Sequence, residues 1–298
     1  MVKKADFQVS CHAKWILAGE HAVLRGSPAL VFPIASKYVK LSYYAGSQEL
    51  EAGFDAPYGE TLLMFFWGTL EAGLKLVNKK HSEVTGRFYL ENNIPMGGGM
   101  GFSAAFCVSM AKWFLSRGWI AATDLFEFAR KLEDHFHGRS SGVDIAGALT
   151  DRGVCFRLGG EIKPLTVNWQ PHFYLSHSES VSVTAKCVQQ VNELWEKSPH
   201  LAKQLDQDMQ TSVQLAEKAL ATEPAQGFPL LTDAVRKAYD CFQHWGLINN
   251  AMQNHISLLH KAGAVAVKPT GAGDGGYVLS LWQSPPAATL QFELIPVF

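Results

Sequence analysis

The stretch Ile94-Pro-Met-Gly-Gly-Gly-Met-Gly-Phe-Ser-Ala-Ala105 sets four glycines (Gly97, Gly98, Gly99, Gly101) within five positions and then turns abruptly into helix-forming residues. Glycine costs backbone entropy, so a cluster this dense marks a backbone that something approaches too closely for side chains. A bare strand-to-helix turn needs only one or two glycines. A Walker loop, GxxxxGK[ST], fails because no lysine follows the cluster. Gly99 to Ala104 fits GxGxxA formally. It begins only after about ninety residues of other structure, however, and no acidic residue closes a second strand, which argues against a dinucleotide fold. What remains is a different phosphate loop, in which bare amides wrap an anion and feed into a helix N-terminus that favours negative charge. Ser103, in the first helical turn, can cap that helix or offer its hydroxyl to a metal ion.

Outward from the loop, the chain reads as mixed strands and helices. GRFYLENNIP predicts a strand leading into the glycines, and SAAFCVSMAKWFLSR a helix stopped by Gly118. A second helix starts near Thr123, carries Leu125, Phe128, Ala129, Leu132 and Phe136 on one face, and ends at Gly138. Residues 61–80 have helical spacing. WILAGEHAVL, PALVFPI and YVKLSYY read as short strands joined by turns at Gly26 and Pro28. GVCFRLGGEIKPLTV predicts strand and turn, with a domain boundary near residue 160. Beyond it, 183–261 is helix-rich and broken at TEPAQGFP, and AVAVK, YVLSLW and TLQFELIPVF close the chain as strands. Mixed runs of this kind favour an α+β fold over a doubly wound sheet.

Composition sets the class. The 298 residues are 47% hydrophobic and 18% charged with a formal net charge of −1, so they supply ample core and no nucleic-acid or membrane-binding surface. That length favours two domains over one. Five scattered cysteines without a CxxC pair read as reduced thiols, not as a disulfide frame or zinc site. MVKKADFQ shows no export signal, and TLLMFFWGTL is too short to span a bilayer. A cytoplasmic protein is expected.

PMGGGMGFSAA resembles the PxGxGLGSSAA phosphate loop of the GHMP kinases. Three more segments resemble that superfamily in its order: KWILAGEHAVLRGSPAL (14–30), LEDHFHGRSSGVDIA (132–146) and KPTGAGDGGYVL (268–279). The GEHAV form and the HG before SGxD are similar to its mevalonate kinase branch. The resemblance implies a two-domain α+β fold, with a ribosomal-protein-S5-like domain over 1–160 and a ferredoxin-like domain over 161–298. It implies ATP and Mg²⁺ as cofactors and a mevalonate-like small-molecule acceptor. No nucleic-acid or membrane partner is implied, and a homodimer is compatible with it.

Residue by residue, the resemblance makes Pro95, Gly97, Gly98, Gly99, Gly101, Ser103 and Ala104 the nucleotide-phosphate cradle. Ser103 and Glu133 match the Mg²⁺ ligands, Asp144 the base that takes the acceptor's hydroxyl proton, and Lys14 the cation beside it. Glu20, His21, His137, Thr184, Gly271 and Ala272 match the acceptor-facing positions. From the residues themselves, Glu133 and His137 lie four apart and share a helix face, whereas Asp144 also admits a reading as a turn residue or helix N-cap. Four departures stand out. Phe102 replaces a loop serine, Asp274 breaks the third glycine run, Pro269 and Ser140 are unusual, and Ser182 stands where the substrate-side R-x-T segment has arginine. Phosphomevalonate kinase is the nearest alternative activity, and a non-catalytic nucleotide-binding relative a further one.

Overall fold

A computed structural model describes residues 4–55, 59–138, 140–286 and 290–298, the side chain of His137 excepted. Its strands are β1 (Phe7–Ala18), β2 (Ala29–Tyr44), β3 (Glu51–Phe54), β4 (Arg87–Asn92), β5 (Val154–Arg157), β6 (Glu161–Pro164), β7 (His172–His177), β8 (Ala266–Pro269), β9 (Tyr277–Trp282) and β10 (Ile295–Pro296). Its helices are α1 (Gly59–Leu76), α2 (Phe102–Ser116), α3 (Leu125–His137), α4 (Val143–Leu149), α5 (Thr184–Lys197), α6 (Pro199–Leu220), α7 (Pro224–His244) and α8 (Asn250–Lys261).

The first sheet is organised by β2. One edge of this 16-residue strand pairs antiparallel with β1 along nearly its whole length. The other edge takes β4 at Val39–Tyr44 and β5 at Ala29–Val31. β3 adds to β4 in parallel and β6 closes the other side against β5. PALVFPI and YVKLSYY are therefore one continuous strand, because Pro33 takes the place of a ladder residue without ending the pairing with β1. EHAVL is not strand: Ala22–Arg25 forms a 3-10 turn closed by Gly26 at φ 91°. The sheet also runs past residue 160, since Val154 pairs with Pro164 across the β5–β6 hairpin.

The second sheet is antiparallel in the order β10-β7-β9-β8 and is backed by α7 and α8, while α6 packs on α7 and β1 and α5 on α6. Among the described residues of TLQFELIPVF, only Ile295–Pro296 pairs as strand. The helix break at TEPAQGFP is shorter than its composition suggests: Pro224 sits at the start of α7, where its missing N–H has no partner to lose, and Pro229 lies within the helix.

α2 is the axis of the first unit. Eleven of its fifteen residues are buried, from Phe102 to Phe114, so it packs on all sides and is fixed by tertiary contact rather than by an amphipathic stripe. The two sheets meet along β1. Trp15 stacks on Phe32 at 4.8 Å and touches Phe173 of β7 at 5.4 Å, and Arg25 forks onto Asp206 of α6. Among the described residues no helix is long and apolar enough to cross a membrane.

Candidate active site

The four loop glycines have separate reasons. Gly97 and Gly99 take left-handed φ of 78° and 85°, and a Cβ on either would meet nothing within 4 Å, so both face open space beside the amides. Gly98 is required by its neighbour: a Cβ there would lie 2.6 Å from the Tyr277 ring. At Gly101, with φ 78°, a Cβ would come within 2.8 Å of Lys14 Cγ and 2.9 Å of Cε. The backbone is bare at Gly101 because Lys14 crosses it.

Lys14 is 2% exposed and held at several points. Its backbone N–H donates to Met100 O at 2.9 Å, so β1 is tied directly to the glycine loop. Its Nζ donates to Gly99 O at 3.0 Å and pairs with Asp144 Oδ1 at 2.8 Å. Gly147 of α4 gives the aliphatic stem its other wall, where a Cβ would stand 2.9 Å from Lys14 Cβ. Asp144 lies in the first turn of α4, after Gly142 at φ 82°, and its side chain is 34% exposed. Among the described residues its carboxylate is paired with Lys14. A β1 lysine and an α4 aspartate, 130 residues apart, thus form one pair at the foot of the glycine loop.

Glu133 of α3 is buried beside this pair. Burial first, and the charge of Asp144 second, push its carboxyl up to about 8, against a hydrogen bond from Ser140 Oγ that favours the charged form. Two carboxylates therefore share an environment in which Lys14 supplies compensating positive charge. Ser140, unusual in the sequence, is the hydroxyl that steadies Glu133, a role legible only once the α3–α4 turn is closed. Phe102, in the place of a loop serine, is buried and packs on Phe65 of α1 at 5.4 Å, so it serves the α1–α2 contact. Ser103 follows it in the first turn of α2, and Pro95 and the buried Ala104 bracket the loop.

The third glycine loop, 270–276, closes on the first. A Cβ on Gly276 would lie 2.9 Å from Gly98 O, and one on Gly271 3.8 Å from Gly99 O. His21, at the rare φ of 57°, is buried with its Nε2 2.9 Å from Ala272 O and its ring against Phe242 and Trp245. Burial lowers its pKa to about 4, which keeps the imidazole neutral. Asp274 adopts φ 53°, and Lys186 of α5 neutralises its carboxylate at 3.2 Å. The charge that this residue brings to a phosphate-facing loop is thereby compensated. Ser182 hydroxyl donates to Gly273 O, and Thr184 is exposed at the start of α5. Glu20 is buried and paired with Lys268 of β8, a residue that the sequence reading missed. A lysine inside the apolar run AVAVKP was the available signal. The side chain of His137 lies outside the described residues.

Two facts define the class. Residues 66–152 match the GHMP kinases N terminal domain, and they span α2, α3, α4 and the glycine loop. The chain thus carries a segment similar to that N-terminal domain, within a fold that solved mevalonate kinases share. Along its whole length its relatives include mevalonate kinases. That of Pyrococcus abyssi is 24% identical over 91% of this chain and 87% of its own, and that of Aeropyrum pernix is 26% identical over 93% and 88%. The crystal structure of L. major mevalonate kinase in complex with R-mevalonate superposes with a TM-score of 0.78 at 21% identity, covering 95% of this chain and 89% of that one.

Proposed function

We propose that this protein is an ATP-dependent mevalonate kinase that transfers the γ-phosphoryl group to the primary hydroxyl of mevalonate, giving 5-phosphomevalonate. The observation that carries the reading is the Lys14–Asp144 pair, tied to the bare glycine loop through Lys14 Nζ and Gly99 O. Phosphoryl transfer to an alcohol needs a phosphate cradle, a proton acceptor and fixed positive charge, and these residues supply all three. The amides of 97–103 and the N-terminus of α2 hold the nucleotide phosphates. Asp144, the partly exposed partner, accepts the hydroxyl proton, and Lys14 stabilises the charge that develops on the transferred oxygens.

The donor set near Asp144 suits Mg²⁺. Glu133 is a buried carboxyl facing a second carboxylate, with Ser103 at the neighbouring helix start, and hard oxygen ligands of this kind match Mg²⁺. Among the described residues no three His, Cys, Asp or Glu side chains converge as a metal cage, so such an ion would rely on nucleotide phosphates and water for its remaining ligands. When bound, it neutralises charge between the phosphates. Glu133 and Ser103 would hold it, leaving Asp144 free to act on the acceptor.

The acceptor reading draws on the relatives named mevalonate kinase and on the retained Glu20-His21-Ala22-Val23. A coupled assay of ADP release against mevalonate and phosphorylated alcohols tests it. Turnover of mevalonate with formation of 5-phosphomevalonate is the expected result; turnover of phosphomevalonate alone would replace the acceptor, and no ADP release with any alcohol would overturn the kinase reading.

A further inference from the structure

Between the two sheets lies an ion pair that the phosphoryl-transfer reading does not use. Lys268 Nζ stands 2.5 Å from Glu20 Oε1, with the two side chains 0% and 2% exposed. The same ammonium donates to Ile16 O at 3.2 Å. Two residues on, Thr270 Oγ1 accepts from Ile16 N–H at 3.0 Å and lies 3.1 Å from Ile16 O. The end of β8 therefore grips both backbone groups of Ile16, two residues beyond Lys14. The strand is irregular here, with register shifts at His12/Ala13 and Ile16/Ala18, so the β1–β2 ladder alone does not fix the position of Lys14. Thr270 also opens the third glycine loop, whose Gly271 and Gly276 rest against the phosphate loop. Among the described residues Glu20 Oε2 has no hydrogen-bond partner and is buried from solvent, so Lys268 is the one charged group shown to hold this carboxylate.

We propose that Lys268 and Glu20 are positioning residues: their buried pair, with Thr270, clamps β1 at Ile16 and so sets Lys14 and the third glycine loop in one register for transfer. Glu20 acts through Lys268 and not on the acceptor. Two buried charges are a costly means of adhesion, because desolvation offsets most of their attraction, so their value lies in geometry. A misplacement of about 1 Å at a reacting centre costs on the order of 100-fold in rate, which is the scale at stake.

The inference rests on the kinase reading, and wild-type turnover of mevalonate with ATP is the control that separates the two. If wild type is inactive, the kinase reading fails before any variant is compared. The test is the double variant Glu20→Gln/Lys268→Met, which removes both charges together and so leaves neither buried alone. We expect wild-type melting behaviour, a kcat lower by about 10- to 100-fold, and KM values for mevalonate and ATP within about threefold. Thr270→Val, nearly isosteric, serves if the double variant does not fold, and should lower kcat severalfold with the same split. Folded variants that keep kcat within twofold make the pair purely structural. A loss confined to the mevalonate KM makes Glu20 an acceptor ligand. Either result overturns the proposal.

Discussion

Substituting alanine at Gly101 isolates the most specific feature of the loop. The residue sits at φ 78°, ψ 34°, a left-handed conformation that costs alanine about 1–2 kcal/mol. For a two-domain chain this corresponds to a melting temperature lower by about 2–8 °C. The larger effect is local. The new Cβ would lie 2.8 Å from Lys14 Cγ, so the lysine must retreat about 0.6 Å to regain an ordinary 3.4 Å contact. Gly147 of α4 packs near the same stem, where an added Cβ would stand 2.9 Å from Lys14 Cβ, so room for that retreat is limited. The movement is therefore forced along the side chain and draws Nζ away from Asp144 and Gly99 O. Displacement on that scale predicts a kcat roughly 10- to 100-fold lower, with the ATP KM within a few-fold. Gly99→Ala is the matched control: the backbone strain is similar, but its Cβ points into open space on the phosphate side, so the loss should fall on ATP affinity. Steady-state kinetics and thermal melts on both variants decide the matter. A Gly101→Ala enzyme within threefold of wild-type kcat, or losing only ATP affinity, would refute the assignment of that space to Lys14.

Other expectations follow from the same geometry. Asp144→Asn should lose roughly 10²–10⁴-fold in kcat yet still bind ATP by calorimetry, and turnover within a few-fold of wild type would reduce the aspartate to a structural partner of Lys14. Glu133→Gln should raise the Mg²⁺ concentration needed for half-maximal activity sharply, whereas an unchanged titration would place the metal elsewhere. Glu133, held near 8 in the folded chain against an ordinary 4.5, binds its proton more tightly when folded. Metal-free protein should therefore lose stability as pH rises from about 4.5 to 8, and Glu133→Gln should flatten that slope in urea titrations. His21 works in the opposite direction: its pKa of about 4 against 6.5 means that the unfolded chain binds more protons, so stability falls as pH drops through that window. The loss is on the order of 3 kcal/mol, and His21→Gln should remove most of it.

What could be read from the chain was local. The glycine cluster, the helices on either side of it and the strand before it have periodicities and stops within a few residues of one another. Their order with the GEHAV, SGVD and GAGDGG segments identified the fold. What could not be read depended on partners far away in sequence. Nothing near Pro28 shows that PALVFPI and YVKLSYY share one strand, because the continuity is imposed by β1 along the opposite edge. Within the cluster, the sequence does not distinguish Gly99, bare for a ligand, from Gly98, bare for Tyr277, or Gly101, bare for Lys14. Lys268 was passed over although it presents the same anomaly that drew attention to Lys14, a lysine within an apolar strand. Asp274 reads as a misplaced charge until Lys186, 88 residues away, is seen beside it.

The central claim is that this chain moves a phosphoryl group from ATP to mevalonate using Asp144 and Lys14. Its most direct test is mass-spectrometric identification of the product formed from ATP, Mg²⁺ and mevalonate by wild type, Asp144→Asn and Lys14→Met side by side. The account predicts 5-phosphomevalonate from wild type and a loss of at least about 100-fold in both variants. Mevalonate returned unchanged by a folded, ATP-binding wild-type protein, or made into product equally well by the variants, would contradict it.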